Sequence, residues 1–228
     1  MTAIGKSAGI PGSPLTYLDV AFSSAYTQRW HMVRSQRNQS LAEHSARVAY
    51  MFQWLLNEWC RYSEPAVRDD RHKIEGYGVR MALCHDMVET LTGDMPSHVK
   101  VPAVKQALQA VELEAAAAID DRWPLAVLDR PDVDMEHPEW AVACRLVKLA
   151  DICETYLFAL GNQGCGYGTS DYKRQWILTS LEQGFADCLT ALATVRFEGD
   201  DNPVFPSPFL SAVSREWVRH FGIQPQHL

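Results

Sequence analysis

His85 and Asp86 stand side by side in an apolar run, flanked by Met81, Ala82, Leu83, Cys84, Met87 and Val88. Burying an imidazole and a carboxylate without partners is expensive. A divalent metal is one compensation, because both groups are standard ligands. An isolated pair of this kind is more often a hydrogen-bonded histidine beside a surface aspartate, and short motifs match by chance. Its company makes this pair different. His44 falls in the first turn of a predicted helix, and Asp151 sits midway along another, LVKLADICETYLFAL. An aspartate among such residues needs a partner. His44, His85, Asp86 and Asp151 thus form a coherent mononuclear ligand set on three predicted helices, with room for water. A helical bundle is a natural place for such ligands to converge. Glu89 lies four residues after His85, one helical turn along the same face. A carboxylate there faces a metal-bound water without ligating the metal.

These residues need helices to position them, and the apolar pattern supplies them. Ser40 and Glu43 fit a capping box ahead of LAEHSARVAYMFQWLLNEWC, whose Leu41, Val48, Met51, Phe52 and Leu55 suit one buried face. A helix from about Glu75 to Leu91 carries His85 and Asp86 and stops at Thr92-Gly93-Asp94-Met95-Pro96. The helix Glu139 to Leu160 repeats Val142, Leu146, Leu149, Cys153, Tyr156 and Leu160 at steps of 4, 3, 4, 3 and 4. Further helices are expected from Leu15 to Ala25, Ala103 to Asp121, Asp171 to Val195 and Phe209 to His220. Almost no stretch alternates as a strand would. The expected fold is all-α: one bundle of six to seven helices over residues 15–228, after a flexible Gly/Ser/Pro-rich lead-in over 1–14.

Composition narrows the partners. The chain has 228 residues and a formal charge of −7, from 28 acidic and 21 basic residues. Non-specific binding to nucleic acid usually needs a basic surface, so a polymeric nucleic acid partner is not expected. No run of eighteen apolar residues exists, and the first fourteen residues lack the apolar core of a secretory signal. The six cysteines (Cys60, Cys84, Cys144, Cys153, Cys165 and Cys188) form no CxxC pair and read as free thiols, so a cytoplasmic protein without membrane contact is expected. GNQGCGYG lacks the P-loop lysine and reads as a helix connector. Lys148 is as easily a snorkelling surface residue as a phosphate contact. His31, after Trp30, stands close enough in sequence to approach a substrate, whereas His72, His98, His137, His220 and His227 have no supporting pattern.

The order of the blocks is more telling than any one of them. Arg29-Trp30 comes first, then Glu43-His44-Ser45, then His85-Asp86-x-x-Glu89-x-x-x-Gly93-Asp94-x-Pro96, then Lys148-Leu149-Ala150-Asp151. This order resembles the HD-domain metal-dependent phosphohydrolase superfamily and, within it, the bacterial 5′-deoxynucleotidase family. The resemblance covers roughly Ala25 to Leu160. It implies that His44, His85, Asp86 and Asp151 hold one divalent transition metal ion, Co, Mn, Zn or Fe. It implies further that Arg29 orients the phosphate and that Trp30 packs on the sugar, leaving no room for a 2′-hydroxyl. Glu89 would orient or deprotonate the attacking water. Asp94, with Met95, Pro96 and Ser97, would contact the sugar or help in proton transfer.

The implied reaction is hydrolysis of a deoxyribonucleoside 5′-monophosphate, by a homodimer if the chain follows its relatives. The alternative is a triphosphohydrolase of the same fold, releasing triphosphate from a substrate such as dATP. Arg34, Arg37, Lys100 and Lys148 are the candidate cations for the extra phosphates. A purely structural metal site is disfavoured, because it needs no spare carboxylate at Glu89. The acidic balance does not oppose a small nucleotide, because Arg29 and a divalent cation face the phosphate locally.

Overall fold

Ser40 opens the helix that carries His44. In the computed structural model of the chain, the described residues are 17–29, 37–63, 70–94, 103, 104, 106–108, 110, 111, 138–161, 171–196 and 202–221. The expectations for residues 1–14, for Trp30, His31, Arg34, His98, Lys100, His137, Cys165 and His227, for Met95, Pro96 and Ser97, and for much of Ala103–Asp121 lie outside them. Seven helices stand among the described residues: α1 (Tyr17–Ser23), α2 (Leu41–Tyr62), α3 (Arg71–Cys84), α4 (Glu89–Thr92), α5 (Pro138–Gly161), α6 (Asp171–Ala193) and α7 (Ser207–Phe221). Two short strands, β1 (Gln28–Arg29) and β2 (Gln39–Ser40), pair antiparallel with Gln28 opposite Ser40 and Arg29 opposite Gln39. The sequence pattern did not predict this pair, since two residues are too few to show alternation.

At the start of α2, the Ser40 side chain accepts from the Glu43 backbone N–H at 3.2 Å, one half of the expected capping box. The Glu43 carboxylate engages Arg37 and Arg47 instead of reaching back. The buried face of α2 runs through Leu41, Val48, Phe52, Leu55, Leu56 and Trp59. It packs against α3 and α5. On α5 the expected stripe is buried at Val142, Leu146, Leu149, Cys153 and Tyr156 and partly buried at Leu160. The C-terminal helices close the core from the far side. Trp217 of α7 stacks on Phe185 of α6 at 3.8 Å, and the Trp59 indole donates to the Val204 carbonyl at 2.9 Å.

The crossing of α2 and α3 depends on Gly78. A Cβ there would lie 1.9 Å from a ring carbon of Phe52, which is fully buried and cannot swing into solvent. Overpacking a core costs about 1–3 kcal/mol, against roughly 1 kcal/mol gained by replacing a helical glycine with alanine. Gly78→Ala is therefore expected to lower the thermal unfolding midpoint by several degrees. An unchanged or higher midpoint would show that the ring has room to move.

The helix expected to run from Glu75 to Leu91 is broken. α3 starts earlier, at Arg71, and ends at Cys84. His85 to Val88 form a tight turn, and α4 follows. Through this turn the backbone bonds span three residues, Met87 N–H to Cys84 at 3.0 Å and Glu89 N–H to Asp86 at 2.9 Å. Three residues per turn eclipse positions i and i+3. These bonds link the Glu89 backbone to that of Asp86. Met87 and Val88 point into the core and pin the turn. Gly93 ends α4 with φ of +79°, a conformation that glycine takes without a steric penalty.

Candidate functional site

α2, the α3–α4 turn and α5 bring their ionisable residues to one place. His44 projects from the buried face of α2 and is fully buried. Its Nδ1 donates to Glu154 Oε2 on α5 at 2.6 Å. His85 Nδ1 donates to the Ala82 carbonyl at 3.0 Å. With both Nδ1 atoms engaged, the two Nε2 atoms face each other at 3.1 Å. Asp86 Oδ2 lies 3.4 Å from His44 Nε2 and 3.3 Å from His85 Nε2. Asp151 Oδ1 lies 3.3 Å from His44 Nε2 and 3.9 Å from His85 Nε2.

These separations suit a metal. Ligand bonds near 2.1 Å put the corners of a tetrahedron about 3.4 Å apart. Two imidazole nitrogens and two carboxylate oxygens suit a divalent first-row ion. The second nitrogen of each imidazole is held by an outer hydrogen bond, as is usual for ligating histidines.

The electrostatics point the same way. Burial and the charge of Arg29 depress the His44 pKa, but hydrogen bonds to Asp151, Asp86 and Glu154 outweigh them and raise it from 6.5 to about 10. Burial raises the two aspartates, and cations overcome it: His85, His44 and Arg29 hold Asp86 well below the usual carboxylate range, and Lys148 with both histidines does so for Asp151. Without metal, a proton on His44 stands in for the cation. That proton stabilises the fold fully below pH 6.5, and the contribution is lost as pH rises toward about 10. The aspartates contribute above pH 3.8, and their contribution is lost at lower pH. Metal-stripped protein should therefore melt highest between about pH 3.8 and 6.5, with a decline toward pH 10 that a divalent ion suppresses. Melting curves across that range check it, and a flat alkaline limb would contradict this charge arrangement.

Arg29 closes the site from the strand pair. Its Nη2 lies 3.9 Å from Asp86 Oδ2, and its side chain is 13% exposed. Burial lowers its pKa, but Asp86, Asp151, Glu89 and Asp94 together raise it, so it stays charged. Its Nε and Nη1 are buried without a hydrogen-bond partner among the described residues. Leaving two guanidinium donors dry costs stability. A tetrahedral oxyanion would satisfy both, since the planar fork matches phosphate oxygens bidentately.

The structure thus gathers Arg29, His44, His85, Asp86 and Asp151, and places Glu89 and Asp94 within electrostatic reach of Arg29. His85 and Asp86 lie in the turn, not inside a helix as expected. Lys148 is half exposed and pairs with Asp151 Oδ2 at 3.3 Å. Two residues of the cluster escaped the sequence reading. Glu154 carries the signal that marked Asp151, a carboxylate in an apolar helix, one turn further on. Gln39 has no such signal, since its role depends on the strand pair.

Comparison with known proteins accords with this arrangement. The family model of the 5′-deoxynucleotidase YfbR-like proteins matches residues 16–183. The 5′-deoxynucleotidase YfbR of Escherichia coli is 31% identical over 142 residues, 60% of this chain and 68% of the relative. A dATP triphosphohydrolase of Cyanophage S-2L is 28% identical over 155 residues, 68% of this chain and 74% of the relative. The solved HD phosphohydrolase of that phage, bound to dA and one catalytic Zn2+ ion, superposes with a TM-score of 0.57 at 20% identity, covering 88% of this chain and 94% of its own. That similarity establishes the fold. The family match spans every candidate residue from Arg29 to Asp151 and well over half of the sequence, and so the chain belongs to the YfbR-like 5′-deoxynucleotidase family of HD-domain phosphohydrolases.

Proposed function

We propose that this protein is a metal-dependent phosphohydrolase that converts a deoxyribonucleoside 5′-monophosphate and water into the deoxynucleoside and phosphate. The observation that carries this reading is the convergence of His44, His85 and Asp86, with Asp151 3.3 Å from His44, beside a buried guanidinium with two unsatisfied donors. His44, His85, Asp86 and Asp151 would hold the ion. A divalent metal bound there lowers the pKa of water and polarises the phosphoryl group.

The chain's own groups do the rest. Arg29 binds two phosphate oxygens and neutralises charge as it grows on them. Glu89, whose backbone N–H bonds to the Asp86 carbonyl in the tight turn, accepts a proton from the attacking water. The bond from phosphorus to the 5′-oxygen breaks, the leaving oxygen takes up a proton, and Asp94 contacts the sugar or helps in that proton transfer. By the family resemblance, Trp30 is assigned to the deoxyribose and to rejecting a 2′-hydroxyl by steric exclusion, and Met95, Pro96 and Ser97 to sugar contacts. The five described cysteines are free thiols, which suits a reducing compartment. No helix among the described residues is long and apolar enough to cross a membrane.

The dATP triphosphohydrolase relative supports a second reading, cleavage of a triphosphate. Such a substrate brings more negative charge, which needs more cations. Arg37 and Lys148 are the described candidates, and each is already paired, with Glu43 and Asp151. This favours the monophosphate. The decisive experiment assays metal-reconstituted protein against deoxy- and ribonucleotides, mono- and triphosphates, loading Zn, Co, Mn and Fe in turn. Inorganic phosphate from deoxynucleoside monophosphates is expected. Triphosphate release alone would establish the second reading.

A further inference from the structure

Glu154 touches none of the atoms that would meet substrate, yet it is one of the most enclosed charged residues, 2% exposed. Both of its oxygens are committed. Oε2 accepts from His44 Nδ1 at 2.6 Å, and Oε1 accepts from Gln39 Nε2 at 2.7 Å, with Arg47 Nη1 at 3.7 Å. Gln39 is fully buried, and its amide turns Nε2 toward the carboxylate because the oxygen would be repelled there. One turn of α5 therefore grips the His44 ring from both edges, Asp151 Oδ1 at Nε2 and Glu154 Oε2 at Nδ1. Gln39 also pairs with Arg29 across the strands, so the same contact ties the backbone of the phosphate-binding arginine to the metal cluster.

We propose that Glu154, itself held by Gln39, is a positioning residue that keeps the proton of His44 on Nδ1 and presents Nε2 to the metal. The proposal rests on the metal-binding part of the reading above and is independent of which nucleotide is cleaved. A buried carboxylate that served only the fold would stabilise the chain without tuning its metal.

The two roles separate in one experiment on the full chain: Zn2+ affinity by competition with a chromophoric chelator, beside melting of the metal-free protein. Glu154→Ala should bind Zn2+ about 10–100-fold more weakly. Glu154→Gln should recover most of that loss, because its amide oxygen still accepts from Nδ1–H and Gln39 can turn its own amide over. If Glu154→Ala does not fold, Gln39→Ala decides, with a several-fold loss of affinity expected. Wild-type Zn2+ affinity in the folded variants, or Glu154→Gln as weak as Glu154→Ala, would overturn the proposal while the functional reading stood. A wild-type chain that takes up no Zn2+ would overturn both.

Discussion

Replacing Glu89 with alanine is expected to lower kcat by about 10²–10⁴-fold, the usual contribution of a general base, while metal uptake stays intact. The physical reason lies in the turn after α3. The Glu89 backbone N–H bonds to the Asp86 carbonyl, which sets Glu89 next to a candidate ligand, and its Oε2 is shielded from bulk water. It sits beside the cluster without being one of the four converging groups. Glu89→Gln separates its two duties: the amide can still orient a water molecule but cannot take its proton, so this variant should be nearly as slow as Glu89→Ala. The check is kcat of each variant at saturating metal and deoxynucleotide, beside a metal-binding measurement. Full activity in Glu89→Gln would assign the proton to another group, and loss of metal would make Glu89 part of the ion's cage.

Arg29→Ala is expected to lower kcat/KM by about 10²–10³-fold, comparable to removing one preorganised donor from a developing oxyanion. Metal affinity should move the other way or not at all. Arg29 is a positive charge 3.9 Å from Asp86, and it lowers the proton affinity of His44. Deleting it removes a like charge from the neighbourhood of the cation. Arg29→Lys keeps the charge but not the planar fork, so it should restore only part of the rate. Activity and metal titrations on the three proteins check this. A parallel loss of metal and activity would mean that Arg29 supports the cluster rather than the phosphate.

The parts of the site that were legible in the sequence share one property: they put charge where apolar packing was expected. Asp151 interrupts a stripe whose steps of 4, 3, 4, 3 and 4 leave no doubt about the helix. His85 and Asp86 interrupt another apolar run, and Ser40 marks the start of α2 through its cap. Such conflicts between pattern and residue type mark functional positions. The break at Cys84 was less legible, because His85 and Val88, at the two ends of the turn, keep helix-like dihedrals (φ −57° and −61°) while the bonding shortens. Periodicity reads residue spacing and is nearly blind to a change from four-residue to three-residue bonds over a single turn. The C-terminal helices carried no motif, and their described residues supply core, as the stacking of Trp217 on Phe185 shows.

Sequence by itself determined the helical class, the faces that pack, the four candidate ligands and their family resemblance, because each depends on local period or on residue type. Tertiary structure alone decided how those groups meet. The turn after α3 bonded Glu89 to Asp86 through the backbone. Arg29 was left with two dry donors. Glu154 and Gln39 closed around the far edge of His44. The reason is distance along the chain: His44 and Glu154 are 110 residues apart, and Gln39 and Glu154 are 115. Contacts at that separation are set by how α2, α5 and the strand pair dock, which no local pattern encodes.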